Sequence, residues 1–271
     1  MTARKRILAS LVLLAVFGLL AWEILYSRVP DPIYVGKHLS YWVEHPEAEG
    51  AAKRNGAVRS AGTNAIPLLL RFVRAHDSPA RKTLIKLVRS QSFLRIHLYS
   101  DENRHDQAAT GFEALGQKAQ SAVPELMRIY NSNLSRNSQL QMLRLFGCIG
   151  PGAKEAIPLL IRATTNSDRS FRIQSIGALA RISDEPDVIV PLLTKLLGDA
   201  DSYTRVAAAS GLGNFGPQAS VAIPQLFELR NSVQPGNVPM MGLIDDAIRK
   251  IDPIAAENAG IEVTNTGRAA Q

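Results

Sequence analysis

The chain has 271 residues, of which 46% are hydrophobic and 20% are charged, and its mean hydropathy is close to zero. This balance excludes a disordered polymer, which holds too few apolar residues, and a multi-span membrane protein, which holds too many. The formal charge of +7 is uneven, because positions 1–28 carry a net +3 and the rest of the chain carries only +4. Such a weakly basic remainder does not indicate a nucleic-acid-binding surface.

The N-terminal segment 1–28 combines a basic start with a long apolar run. Three positive charges at positions 4–6 precede an uncharged segment from Ile7 to Trp22, and about twenty helical residues span the hydrocarbon core of a bilayer. We therefore predict a transmembrane anchor at 1–28 and a stiff linker at 29–33. Because the basic residues come first, the N-terminus is predicted to be cytoplasmic and the rest of the chain extracytoplasmic. The alternatives are a cleaved signal peptide, which would give a secreted or periplasmic protein, and a buried soluble helix.

A sequence repeat organises the rest of the chain. Five marker prolines each follow a branched aliphatic residue and precede a leucine by two positions, with spacings of 57, 34, 33 and 33: Pro67, Pro124, Pro158, Pro191 and Pro224. Each unit is predicted to form two helices, the first holding the proline early and the second presenting apolar residues 18, 21 and 24 positions after it. In this register Cys148, the single cysteine, is a buried thiol of the second helix. One cysteine also excludes an intramolecular disulfide and a cysteine-rich zinc site.

A charged pair recurs ten and fourteen positions after the marker proline. We predict that each aspartate stabilises the start of the second helix and that the pairs form a ladder of ions between stacked repeats. A row of arginines that binds a phosphate or carboxylate is the alternative, but a pair that repeats with the fold favours the structural role. The residues are Asp77, Arg81, Asp168, Arg172, Asp201 and Arg205.

Three segments carry a family resemblance: Gly116–Pro124, Gly150–Pro158 and Gly216–Pro224. They resemble HEAT repeats, and most closely the short bacterial type found in phycobilin lyase subunits. The resemblance covers about positions 34–253 and implies an all-α, right-handed α-solenoid of about six antiparallel helix pairs, as in armadillo and HEAT proteins. It also implies that the second helices line a concave face that binds a protein or peptide partner. The signature residues of TPR and ankyrin repeats are absent.

The ends and one interruption depart from the repeat. We predict a capping helix pair at 34–62 and a disordered tail at 254–271. The spacing of 57 predicts an insertion at about 82–106 that ends in a solvated loop. Insertions in solenoids often lie on a binding face, so four of its residues are candidate partner-binding residues: Arg95, His97, Tyr99 and Arg104. The alternative is an additional helix packed on the edge of the solenoid.

The sequence contains no recognisable catalytic, cofactor-binding or metal-binding motif. His97, Asp101, Glu102, His105 and Asp106 are close in sequence, but their spacing matches no metal-ligand pattern. We therefore predict a scaffold rather than an enzyme, attached to the membrane by its N-terminal helix, with a protein or peptide partner, no cofactor and no nucleic acid. The alternatives are a chromophore lyase-like enzyme or accessory factor, which the family resemblance implies, and a nucleic-acid-binding solenoid.

Overall fold

The computed structural model describes residues 30–74, 101–234 and 237–261, together with Gly18. The remainder of the predicted anchor at 1–28 and most of the predicted insertion lie outside these ranges. Within them, every helix is too short or too polar to cross a membrane.

The described chain begins with a small hairpin and one helix pair. Strand β1 (Ile33–Tyr34) pairs antiparallel with β2 (Lys37–His38), and helices α1 (Leu39–Glu44) and α2 (Pro46–Ala61) follow. The hairpin is an addition to the all-α prediction. It packs on α1, where Trp42 is only 4% exposed and its Nε1–H donates to the Tyr34 carbonyl oxygen at 2.9 Å. This indole therefore seals the end of the apolar core, as a capping residue does.

Five further helix pairs in the described ranges form the body of the solenoid. Each has a first helix, A, and a second helix, B. The A helices are α3 (Ile66–Val73), α5 (Val123–Asn131), α7 (Ile157–Ala163), α9 (Pro186–Leu196) and α11 (Ile223–Ser232). The B helices are α4 (Asp101–Leu115), α6 (Arg136–Ile149), α8 (Arg169–Ile182), α10 (Ser202–Gly213) and α12 (Val238–Ile251). Short 3-10 helices at Gly62–Ala65, Gly116–Ala122, Gly150–Ala156 and Gly216–Ala222 lead into four A helices.

The recurring leucines explain why the A helices pack as they do. All five are fully buried: Leu69, Leu126, Leu160, Leu193 and Leu226. Four of the marker prolines lie in the first turn of their A helix, where no intrahelical N–H bond is lost. Pro191 differs, because α9 already begins at Pro186 and this proline lies inside the helix.

Successive B helices pack side by side in chain order, so the buried residues form one continuous core along the solenoid. Two glycines allow close backbone approaches between B helices. A Cβ atom on Gly147 would lie 3.2 Å from Cα of Ala178, and one on Gly213 would lie 3.1 Å from Cα of Ala247. Since each helix contacts its neighbours in sequence, the fold has the one-dimensional order of an α-solenoid.

The predicted position of the insertion is wrong at its end. Residues 101–106 belong to α4, which has the same place in its repeat as α6 has in the next one. The extra residues therefore fall at 75–100, between α3 and α4, outside the described ranges. The solvated loop expected at 100–106 is also wrong from Asp101 onward, since these residues are helical. The spacing of the marker prolines gives the length of the insertion but not its position within the repeat.

Cys148 corrects the predicted register of α6. The thiol is half-buried rather than part of the fully buried core, and the next residue, Ile149, is 1% exposed. The repeat that begins at Pro124 is one residue longer than the two repeats after it, so its buried positions shift by one residue relative to theirs. Ile149 is therefore the counterpart of Ile182 and Phe215 at the end of the B helix.

The C-terminal tail also differs from the prediction in its first part. Residues Pro253–Asn258 form a short helix, α13, whose first turn is capped by Asp252. Ala256 and Ile261 are 1% and 6% exposed. These apolar side chains cover the open end of the core after the last B helix, which is why this part of the tail is ordered.

Candidate partner-binding surface

Each B helix carries one line of side chains that the core does not fully bury. The line follows positions i, i+4, i+7 and i+11, which share one face of a helix. Equivalent positions recur in each B helix from α6 to α12, and every member is half-buried or exposed. We name this surface the B-helix stripe, and it consists of Asn137, Gln141, Arg144, Cys148, Ser170, Gln174, Gly177, Arg181, Tyr203, Ala207, Ser210, Asn214, Pro239, Leu243, Asp246 and Lys250.

The central positions of the B-helix stripe are uncharged on α8 and α10, namely Gln174, Gly177, Ala207 and Ser210, whereas α6 and α12 carry charged groups there. Arg144 Nη1 pairs with Asp106 Oδ1 on α4 at 2.7 Å, and Lys250 pairs with Asp246 at 2.8 Å. Arg181 is exposed and makes no ion pair with any residue in the described ranges. Arg181 and Lys250 lie in the last turns of their helices, where a cation also interacts favourably with the negative end of the helix dipole.

The half-buried thiol of Cys148 lies among these charges. Burial raises its pKa, the nearby Glu113 carboxylate raises it further, and the cations Arg144 and Arg181 oppose the shift. The thiol is therefore neutral at physiological pH, and a neutral thiol is a poor nucleophile. This site supplies a small apolar contact to the surface rather than a reactive group.

Two of the predicted aspartates cap B helices. The backbone N–H of Ser170 donates to Asp168 at 2.9 Å at the start of α8, and the N–H of Thr204 donates to Asp201 at 3.1 Å at the start of α10. Ser135 and Asn237 have the same capping position on α6 and α12. Every B helix from α6 onward therefore begins with a side chain that satisfies one of its free N–H groups.

The same aspartates join neighbouring repeats. Arg136 Nε on α6 lies 2.5 Å from Asp168 Oδ2, and Arg172 Nη2 on α8 lies 3.4 Å from Asp201 Oδ2. Hydrogen bonds from Arg136 and from the Ser170 backbone hold the pKa of Asp168 at about 2. The pKa of Asp201 is also lowered: burial opposes the shift, but the hydrogen bonds from Thr204 outweigh it.

The recurring arginines have a second contact within their own repeat. Arg172 donates to the carbonyl oxygens of Asn166 and Ser167 at 3.0 and 3.1 Å. Arg205 donates in the same way to those of Asp199 and Ala200 at 2.8 and 3.1 Å. Each guanidinium thus satisfies backbone acceptors of the turn that joins helix A to helix B.

Sequence reasoning missed one set of contacts. Arg136 and Arg169 are the first residues of their B helices, and both approach the capping aspartate of the next repeat. The signal was an arginine directly after a capping serine or aspartate. The repeated Asp–Arg spacing of four positions indicates only Arg172 and Arg205, so it does not predict these contacts.

The other predicted site residues are only partly within the described chain. Arg104 lies on α4 and is half-buried, whereas Arg95, His97, Tyr99, Asp77 and Arg81 lie outside the described ranges. His105 does not join a ligand cluster, because its Nε2 lies 3.1 Å from the Val73 carbonyl oxygen. In the parts of the chain that the structure describes, no group of three potential metal ligands is assembled.

Comparison with known families agrees with this architecture. A sequence profile of HEAT repeats matches residues 157–235, which run from α7 through α11. Residues 157–235 are therefore HEAT repeats. No curated protein matches this chain. Among solved structures, it is similar to the crystal structure of an engineered protein from the Northeast Structural Genomics Consortium, with 17% identity and a TM-score of 0.40, over 79% of this chain and 96% of that one. The HEAT repeats form a helical scaffold whose exposed surface is extended along the stack.

Proposed function

We propose that this protein is a membrane-anchored scaffold that binds a protein or peptide partner through the B-helix stripe, outside the cytoplasm. The observation that carries the proposal is the stripe itself, which runs over four successive B helices without a catalytic or metal-binding cluster among the described residues. Stacked repeats of this kind provide extended binding surfaces. A scaffold is therefore the simplest activity for the arrangement.

The chemistry of the stripe suits an extended peptide. Its centre contains the amides Gln141 and Gln174 beside the small residues Gly177, Ala207 and Ser210. A side-chain amide both donates and accepts hydrogen bonds, and can therefore pair with the N–H and C=O of a peptide backbone. Small side chains between the amides leave room for that backbone to approach the helices.

The membrane anchor rests on the sequence of positions 1–28. A topology reporter fused after Gln271, combined with fractionation of the cells, tests it directly. We expect a reporter signal from outside the cytoplasm and a full-length chain in the membrane fraction. A shortened soluble product outside the cytoplasm would replace the anchor with a cleaved signal, and a cytoplasmic reporter signal would overturn the location.

A matched pair of variants tests the binding surface. Gln174→Trp places a large side chain on the exposed centre of the stripe, whereas Gln120→Trp places it on an exposed 3-10 turn away from the stripe. A photo-crosslinking amino acid at position 210 of the full-length chain should yield a defined adduct in the wild type and in the Gln120 variant. The adduct should be lost in the Gln174 variant. Equal adducts in all three proteins, or none in the wild type, would refute binding at this face.

A further inference from the structure

The ladder between repeats is interrupted at its last junction. At the preceding one, Arg172 Nη2 lies 3.4 Å from Asp201, and its Nε–H donates to Thr204 Oγ1 at 3.1 Å. In the next repeat, helix α12 presents Asn237 in place of that aspartate and Met240 in place of that threonine. Arg205, the counterpart of Arg172, is thus opposite a repeat that offers neither a carboxylate nor a hydroxyl at these positions.

Only some of the hydrogen-bond donors of the Arg205 guanidinium therefore have an acceptor in the described chain. Its Nη1 donates hydrogen bonds to the carbonyl oxygens of Asp199 and Ala200, as Nη1 of Arg172 does in its own turn. Its Nε and Nη2 donate to no residue in the part of the chain that the structure describes. The first contact fixes the orientation of the group, so the remaining donors are held in place.

These donors lie beside a groove. Arg205 lines an open cavity of about 510 Å³ between the end of α9 and helix α11. Lys195 and Glu228 line the same cavity, and neither makes an ion pair with a described residue. Thr194, Gln225 and Ser232 add two hydroxyls and an amide to its wall. The charged lining thus consists of two cations and one anion, and one additional negative charge would balance it.

We propose that this groove binds a single carboxylate, presented by an aspartate or glutamate side chain of a protein partner. Arg205 would bind this carboxylate in the way that Arg172 binds Asp201, and Lys195 would supply the second cation. A net lining charge of one favours a monoanion over a doubly charged phosphate. That the carboxylate comes from a protein rests on the proposed scaffold function, but the groove is formed by α9 and α11 together with Arg205 of α10, and none of its lining residues belongs to the B-helix stripe.

The test uses the full-length chain in detergent micelles with ¹⁵N-labelled arginine. The side-chain Nε–H signal of Arg205, assigned by its loss in Arg205→Lys, is followed by NMR during titration with the peptide acetyl-Ala-Glu-Ala-amide. We expect a saturable shift in the millimolar range, as one exposed ion pair supports. The neutral peptide acetyl-Ala-Gln-Ala-amide should cause no shift.

Asn237→Asp provides the decisive variant, because it restores the missing carboxylate of the ladder while keeping a residue type that caps helices well. It should weaken binding of the glutamate peptide about fivefold or more. Asn131→Asp is the matched control: it adds the same charge at an exposed position of α5, outside both the groove and the B-helix stripe, and should leave binding unchanged.

Several results would overturn the proposal. These are no shift with the glutamate peptide, an equal shift with the glutamine peptide, equal binding to the wild type and Asn237→Asp, or tighter binding of inorganic phosphate than of the glutamate peptide. None of them depends on the B-helix stripe. Failure of the groove is therefore distinguishable from failure of the proposed scaffold surface, which the Gln174 and Gln120 variants test.

Discussion

The turn from helix B to the next helix A depends on one glycine conformation, and a pair of identical substitutions isolates it. Gly150 follows α6 with φ 66° and ψ −137°, a region that L-residues with a Cβ atom avoid. Gly177 lies inside α8 with helical geometry and open space around its Cα. We predict that Gly150→Ala destabilises the protein, whereas Gly177→Ala stabilises it.

The size of the destabilisation by Gly150→Ala follows from the backbone conformation alone. A Cβ on Gly150 would have its nearest neighbour, the Arg181 carbonyl oxygen, at 3.7 Å, which is ordinary van der Waals contact. The disallowed conformation costs about 1–3 kcal/mol, and the loss of chain entropy in the unfolded state offsets about 0.4–1 kcal/mol of it. Gly150→Ala should therefore lower the free energy of unfolding by about 1–2 kcal/mol. Gly177→Ala should raise it by about 0.5–1 kcal/mol, the gain from alanine in a helix.

Urea unfolding followed by far-UV circular dichroism measures both free energies under one set of conditions. The two variants differ from the wild type by the same methyl group, so volume and hydrophobicity cancel in the comparison. The expected separation between them is about 1.5–3 kcal/mol. If Gly150→Ala were neutral or stabilising, the left-handed conformation at this turn would not be what the glycine provides, and the explanation would fail.

Three further predictions concern single side chains. Ser183 takes the left-handed position after α8 with φ 44°, so Ser183→Gly should raise the free energy of unfolding by about 0.5–1 kcal/mol; an unchanged urea midpoint would contradict this. The pKa of Asp168 is lowered from 3.8 to about 2, so its ion pair stabilises the fold fully above pH 4 and is lost as the pH falls toward 2. Between pH 5 and 2 the wild type should lose more stability than Asp168→Asn in thermal melts, and parallel pH profiles would exclude this contribution. Burial raises the pKa of Cys148, so iodoacetamide at pH 7 should alkylate it several-fold more slowly in the folded chain than in urea; equal rates would show an accessible thiolate.

The repeat architecture could be predicted because the same physical constraint returns in every unit of the chain. A proline, which lies in the first turn of helix A in four of the five units, is followed two positions later by a leucine in every unit, and all five leucines are fully buried. Periodic burial of this kind produces a repeating pattern of apolar residues in the sequence. The capping positions of Asp168 and Asp201 were readable for the same reason.

The errors arose where the period changes. The single extra residue between Pro124 and Pro158 moved Ile149 into the buried position that the pattern assigned to Cys148. The insertion was misplaced because residue counting gives its length, whereas its position depends on where α4 begins. The groove at Arg205 carries no local motif at all. It results from the absence of a carboxylate one repeat later, which is visible only after the B helices are aligned in space.

The connections between A and B helices have consequences for the order in which the chain folds. Short turns join α5 to α6, α7 to α8 and α9 to α10, whereas the whole segment 74–100 separates α3 from α4. Contacts between α3 and α4 therefore join residues further apart in sequence than those within the later pairs, and contacts of longer sequence separation form more slowly. We therefore expect the C-terminal repeats to nucleate folding and the N-terminal pairs to dock onto them as a template. Synthesis proceeds in the opposite direction, so the segments that leave the ribosome first would be the last to reach their native packing.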